Sequence, residues 1–258
     1  MSGTCLSIDW DFFVPDAVPL WDDSWIDESF HHLWEVWRDP SRLEWVDDID
    51  VVGAKGFWRV LSKWFVLPSN RHATISESHE AMHDLLTKEH KTLLLFDSHH
   101  DCYYLSEKNE RGGSPDCGQW GTYWLKRNRG RRVMWISQLK KEDRKSAMSM
   151  VDSCVRRKVK AYSLGEAKHA FDSMCKRAGG KIELDFVHIC RSGCWSPPWV
   201  DKDFLLFLKR SQLKCDVIKH VHGSMWDPTL DRWKNDSMKY VYESMTWTEA
   251  EAYASFEC

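Results

Sequence analysis

LLLFDSHHD, residues 93–101, runs an apolar stretch straight into a polar cluster. Thr92 to Phe96 has no helical spacing and reads as a buried strand. Asp97, His99 and Asp101 then alternate beyond its end. In extended backbone, positions i, i+2 and i+4 lie on one side, so two carboxylates and one imidazole can converge on a cation. Carboxylate oxygen with imidazole nitrogen suits Mn, Zn or Fe(II) better than a thiolate-loving ion. The competing reading makes them helix-cap and solvated turn residues.

A second stretch has the same form. In TCLSIDWDFF, residues 4–13, an apolar strand delivers Asp9 and Asp11, again two apart. A buried carboxylate is costly without a cation or donors to offset it, and two such pairs are harder to assign to chance than one. Together the stretches offer four Asp and one His, enough for two divalent ions sharing a bridging carboxylate. The alternative is that Asp9 or Asp11 only caps the following loop.

Working outward, β and α signals alternate. A helix is expected over 56–65 and another over 79–89, feeding the strand at 92–96. Then come a helix over 116–128, a strand over 131–137, a helix over 142–156 and a strand over 159–164. A helix over 166–177, a strand over 184–190, a helix over 201–209 and a last strand over 215–221 complete the series. Such repeats predict a three-layer α/β/α domain with a mainly parallel sheet, whose ligands collect at the carboxyl ends of the strands. One domain over 1–258 is expected, carrying a Trp-rich insertion at about 14–66 with a helix over 28–37. The tail from Gly223 shows no apolar strand.

Composition narrows the function classes. The net charge of -3 gives no basic field for phosphates, so nucleic acid is not an expected ligand. The start has no signal-peptide pattern, and no apolar run is long enough for a membrane span. Nine cysteines, an odd number spread over 258 residues, fit a reducing cytoplasm better than a disulfide framework. Cys190 and Cys194 lack the second pair a structural zinc needs. Of 16 tryptophans, half lie between Trp10 and Trp64. Trp21 to Trp64 is expected to form a lid over the strand ends, because it comes directly after Asp11 and would not stay in water uncovered. No G-x-S-x-G elbow, P-loop or G-x-G-x-x-G is present.

With both motifs in view, the chain resembles the arginase/deacetylase superfamily: D-x-H-x-D after one strand and S-x-D-x-D after another are similar to the paired metal motifs of arginases, agmatinases and formiminoglutamases. The likeness is strongest to an uncharacterised arginase-like branch, on ESHEAMHDLL around His79, FDSHHD, CGQW around Trp120 and ICRSGCWSPPW. It covers roughly residues 4–13 and 75–199. In arginases the D-x-D strand comes after D-x-H-x-D, whereas here it opens the chain, so the order is permuted. The resemblance implies an arginase-like fold, with Asp97 and Asp9 as bridging carboxylates. His79 and Asp101 would complete one metal, and His99 and Asp11 the other.

The activity expected on these grounds is that of a metal-dependent hydrolase acting on a C–N bond of an amide, amidine or guanidine-like group through a metal-activated water. One or two divalent ions are expected, Mn ahead of Zn or Fe, with a small molecule or modified amine as substrate; a homo-oligomer is compatible with this. Asp101 or His100 would relay the proton, and Arg191 with Ser192 would bind a substrate carboxylate. His83, His188 and His222 are read as structural before catalytic. The rivals are a non-catalytic binding protein on the same fold and a metal-dependent phosphoesterase.

Overall fold

A computed structural model gives the chain its three-dimensional form and describes residues 3–14, 51–76, 78–105, 117–127, 129–192, 196 and 201–217. The helix expected over 28–37, the tail from Gly223, His222, Cys194 and most of the Trp-rich stretch lie outside these residues. The strands are β1 (Thr4–Asp9), β2 (Phe65–Val66), β3 (His72–Ser76), β4 (Thr92–Phe96), β5 (Arg132–Ile136), β6 (Val159–Tyr162), β7 (Ile182–Glu183), β8 (Phe186–Cys190) and β9 (Lys214–Val217). The helices are α1 (Phe57–Leu61), α2 (Met82–Leu85), α3 (Trp120–Lys126), α4 (Lys141–Met150), α5 (Leu164–Ala178) and α6 (Asp201–Ser211).

Seven strands form one sheet in the order β6-β5-β4-β1-β8-β3-β9, and every neighbouring pair is parallel. A parallel sheet must be covered on both faces, which is why its inner strands carry so little polar surface. β1, β4 and β8 show this: Leu6, Ile8, Leu94, Phe96, Val187 and Ile189 turn to one core with Trp58, Phe171 and Phe207 from α1, α5 and α6. Cys5, Leu93, Leu95, Val133 and Trp135 turn to the other, with Met82, Trp120 and Trp124 from α2 and α3. The strand period of two thus sorts side chains into two cores, and helices close both faces of the α/β fold. Among the described residues no helix is long and apolar enough to cross a membrane.

Several elements depart from the sequence reading. β3 (HATIS) is an inner strand between β8 and β9, although its mixed polarity gives no strand signal. The small β2–β7 pair is likewise not expected from the sequence. The helix expected over 79–89 is a 3-10 turn over 79–81 followed by the single turn α2, which ends where Leu86 adopts extended backbone. α4 stops at Met150 instead of reaching 156, and α1 stops at Leu61 before β2 begins. α5 has the clearest ends: Ser163 and Glu166 make a reciprocal capping box, and Gly179 closes the helix at φ 74, a left-handed position that suits a residue without Cβ.

The two described tryptophans of the Trp21–Trp64 stretch do not form a lid. Trp58 donates Nε1–H to Phe207 O at 2.9 Å with its ring on that phenyl, and Trp64 packs on Phe171. Both belong to the helix layer, because α1 and β2 are part of the fold's core and not an appendage. Phe207 also touches Trp10, Phe13 and Phe57. Its replacement in Phe207→Ala should therefore cost about 3–5 kcal/mol in chemical denaturation; a loss below about 1 kcal/mol would show that this cluster does not carry the core.

Candidate metal centre

β1 and β4 run side by side with Ile8 opposite Phe96, so Asp9 and Asp97 leave adjacent strand ends together. Beyond that point simple strand alternation no longer describes the chain. After Asp9 the backbone enters a 3-10 turn over Trp10–Phe13, and Asp9 Oδ1 accepts Asp11 N–H at 3.2 Å. After Phe96 it bends, and Asp97 Oδ1 accepts His99 N–H at 2.7 Å. Asp101 then sits at φ 51, in the left-handed region that Asp tolerates better than most residues. α3 holds it there. Gly121 N–H donates to Asp101 O at 2.9 Å, and Trp120 Nε1–H donates to Asp101 Oδ2 at 2.9 Å. A Cβ at Gly121 would stand 2.6 Å from Asp101 O and 2.7 Å from Cys102 Sγ, so no side chain fits that contact. His79 reaches the site from the turn after β3, which Ser78 caps through Glu80 N–H.

Six side chains meet as a result. His79 Nδ1 lies 3.1 Å from Asp9 Oδ2, 2.9 Å from Asp97 Oδ2 and 2.9 Å from Asp101 Oδ2. His99 Nδ1 lies 3.0 Å from Asp11 Oδ2 and 3.7 Å from Asp97 Oδ1. Asp9, His79 and Asp97 form one group with donor atoms within 4.8 Å of one another, and Asp11, Asp97 and His99 form a second. Asp97 is common to both. Asp9, given a bridging role by the resemblance, stands in the first group only.

The carboxylates divide their labour between the fold and the site. Asp9, Asp11 and Asp97 each spend Oδ1 on a backbone N–H, of Asp11, Ser98 and His99 in turn, and aim Oδ2 inward. Capping and ligation, alternatives at the level of sequence, are thus compatible in one side chain, because the backbone contact takes Oδ1 and leaves Oδ2 for a ligand. Asp11 Oδ2, Asp97 Oδ2 and His79 Nδ1 are fully buried yet make no hydrogen bond, their short contacts being out of line with the ring's N–H direction. Buried ligand atoms left without a hydrogen bond, in two groups that meet at Asp97, suit a cation. These Asp and His groups can hold a metal ion.

The electrostatics have the same sense. Burial, then the charge of Asp11, pushes Asp9 up to about 6; burial, then Asp97, pushes Asp101 up to about 6; and Asp97 is raised by burial and by Asp11 and Asp9. Burial alone would depress His79 and His99, but the carboxylates around each outweigh it and hold both well above the usual imidazole range. Stripped of these protons, the four carboxylates with neutral imidazoles would carry a charge of -4, which two divalent cations would balance.

The remaining sequence candidates fall into place around the site. His100 is buried with Nε2–H donating to Ala147 O at 3.0 Å and Nδ1 accepting Cys102 N–H at 3.0 Å, while its ring packs on Tyr103 and Trp135. Burial lowers its pKa to about 4. With both nitrogens spent on the main chain, it has nothing left for a proton relay. Arg191 comes after β8 and is buried one residue beyond the Asp9–Cys190 pair; Ser192 after it sits at φ 55. His83 pairs with Asp84 at the surface side of α2. Cys5 and Cys102 are buried thiols whose pKa is raised by burial, in keeping with an idle role.

Three residues of the site, Ser7, Ser76 and Gly121, are not singled out by sequence reasoning. Ser7 Oγ lies 2.7 Å from His79 Nε2 and 2.9 Å from His188 Nδ1. Its signal is present as a polar residue within the apolar run of TCLSI, two places before Asp9 and hence on the same face of the strand. No family model, curated protein or solved structure matches the chain.

The raised values fix a pH dependence for metal-free protein. Asp9 and Asp101 hold their protons more tightly folded than unfolded, so their contribution to stability is present below about pH 4 and lost as pH rises through about 6. His79 and His99 contribute in the same direction at higher pH. Buried, depressed His100 and His188 act in the opposite sense up to the unfolded imidazole pKa of about 6.5, so chelator-treated protein should show a falling Tm above it, from about pH 6.5 to pH 8. A divalent ion should remove or reverse this slope, because it binds the deprotonated ligands. A metal-free Tm that climbs across this range would contradict the assigned burial of charge.

Proposed function

We propose that the chain is a divalent-metal-dependent hydrolase of C–N bonds with an arginase-like arrangement, and that Asp97 is the shared ligand of two ions. The supporting observation is the pair of donor groups joined at Asp97, with its buried Oδ2 and that of Asp11 unpartnered. Asp9, His79, Asp97 and Asp101 would hold one ion; Asp11, Asp97 and His99 would hold the other. An oxygen-rich set with one imidazole per ion favours Mn over Zn or Fe. Ions bound there supply Lewis acidity and bring a water within reach of deprotonation near neutral pH.

The chain's own residues do the rest. Trp120 and the close contact at Gly121 fix Asp101, so its carboxylate keeps one orientation whether or not it carries a proton. With His100 committed to the main chain, Asp101 is the group assigned to pass a proton to the leaving amine. His99 has a side chain 22% exposed while the carboxylates around it are buried, so substrate approaches from its side. Arg191 is assigned to an anionic group of the substrate, which a guanidinium meets in a bidentate way.

Elemental analysis of protein purified without chelator, with assays on acetylated amines, guanidino compounds and phosphoesters, tests this reading. Wild type should carry up to two equivalents of metal and cleave a C–N substrate. Asp97→Ala should lose both ions and all turnover, while His99→Ala keeps the ion at His79. Full metal in Asp97→Ala would overturn the site, and turnover of phosphoesters alone would overturn the reaction class.

A further inference from the structure

Behind His79 lies a buried polar row that the proposed reaction does not use. Ser7 Oγ, 2.7 Å from His79 Nε2, is also 2.9 Å from His188 Nδ1; His188 Nε2 is 2.8 Å from Ser76 Oγ; and Ser76 Oγ donates to Ser78 O at 2.7 Å. Ser7, Ser76, His79 and His188 are all nine-tenths or more buried. They come from three adjacent strands, since Ser7 and Thr74 both stand opposite His188 in the register, and from the turn that succeeds β3.

The directions of these bonds can be read from one end. A carbonyl oxygen only accepts, so the single hydroxyl proton of Ser76 goes to Ser78 O. Ser76 Oγ must then accept from His188 Nε2–H. Among the described residues the His188 ring meets two hydroxyls and no carboxylate, and it stacks on His79 at 5.4 Å, so a buried imidazolium there would have no counter-charge. A neutral ring with its proton on Nε2 has a lone pair on Nδ1, which accepts from Ser7 O–H. Ser7 Oγ in turn accepts from His79 Nε2–H. Each step leaves one choice for the next.

We infer that Ser76, His188 and Ser7 form a hydrogen-bond chain of fixed direction that holds the Nε2 proton of His79 and so leaves Nδ1, which lies beside the Asp9, Asp97 and Asp101 carboxylates, as the nitrogen free to ligate. These three are positioning residues. The inference rests on the reading of His79 as a metal ligand, and it assigns the ligating atom as Nδ1. An imidazole whose far N–H is bound to a fixed acceptor is oriented and made a better ligand, and loss of such a partner typically weakens metal binding about 10- to 100-fold. The chain ends on a backbone carbonyl rather than a carboxylate, so it orients the ring without adding negative charge to a site that already holds four acids.

The test pairs a tautomer measurement with metal titration. Nitrogen-15 NMR of histidine-labelled, metal-free wild-type protein should show His188 neutral and protonated on Nε2. Mn(II) titration of Ser7→Ala and Ser76→Ala should show the ion at His79 bound about 10- to 100-fold more weakly than in wild type, with the ion at His99 unchanged; Ser76→Thr, which keeps the hydroxyl, should restore it. Should either alanine variant fail to fold, the other and the wild-type spectrum still decide. A proton on His188 Nδ1, or wild-type Mn(II) affinity at both positions in the alanine variants, would overturn the chain. If wild type binds no divalent ion while His188 carries its proton on Nε2, the chain stands and the metal reading fails.

Discussion

Four carboxylates held within one buried cluster repel one another and have lost the water that would screen them, and the rest of the structure is arranged around that constraint. Two of them leave the ends of hydrogen-bonded strands, so the sheet itself forces Asp9 and Asp97 together. The other two are brought in by local bends. Each of Asp9, Asp11 and Asp97 is offset in part by a backbone N–H on one oxygen, but the second oxygens converge on two imidazoles. A fold carries such a cost when something bound there offsets it, and the mix of hard oxygen and imidazole nitrogen suits a divalent cation in that role.

The position of β1 explains why the cluster can be so deep. With β4 on one side and β8 on the other, β1 lies in the interior of a parallel sheet whose two faces are covered by helices. Every side chain of β1 is buried, which makes its carboxyl end a dry place to gather charge. The same strand supplies Ser7 one step below Asp9, so the ligands and the polar row behind them are parts of one register. α3 contributes from the opposite direction through Trp120 and Gly121, fixing an Asp101 backbone that a regular strand would not allow.

How much of this is readable from the chain varies with the physics involved. Apolar runs ending in carboxylates read correctly as strands because full burial leaves no alternative for TCLSI and TLLLF, and all six metal candidates do meet. Alternation along extended backbone is not what brings Asp97, His99 and Asp101 together; a bend, a left-handed residue and a glycine contact do, and such features are set by tertiary neighbours. β3 escapes sequence reading because HATIS mixes polar and apolar residues, its Ser76 and Thr74 facing partners that only the folded sheet provides. His100 looks like the best proton relay by adjacency to two ligands, yet direction of the side chain decides otherwise. Trp58 and Trp64 suggest a covering surface by composition, but their indoles serve the core between sheet and helices.

The proposed metal centre would place ions between the two imidazoles and the shared carboxylate. Anomalous diffraction at the manganese edge, from crystals grown with Mn(II), addresses that directly. Peaks should appear between Asp97 and the two imidazoles, one bonded to His79 Nδ1 and one to His99. A well-ordered site with the six side chains in place, Mn(II) in the solution and no anomalous peak among them would contradict it.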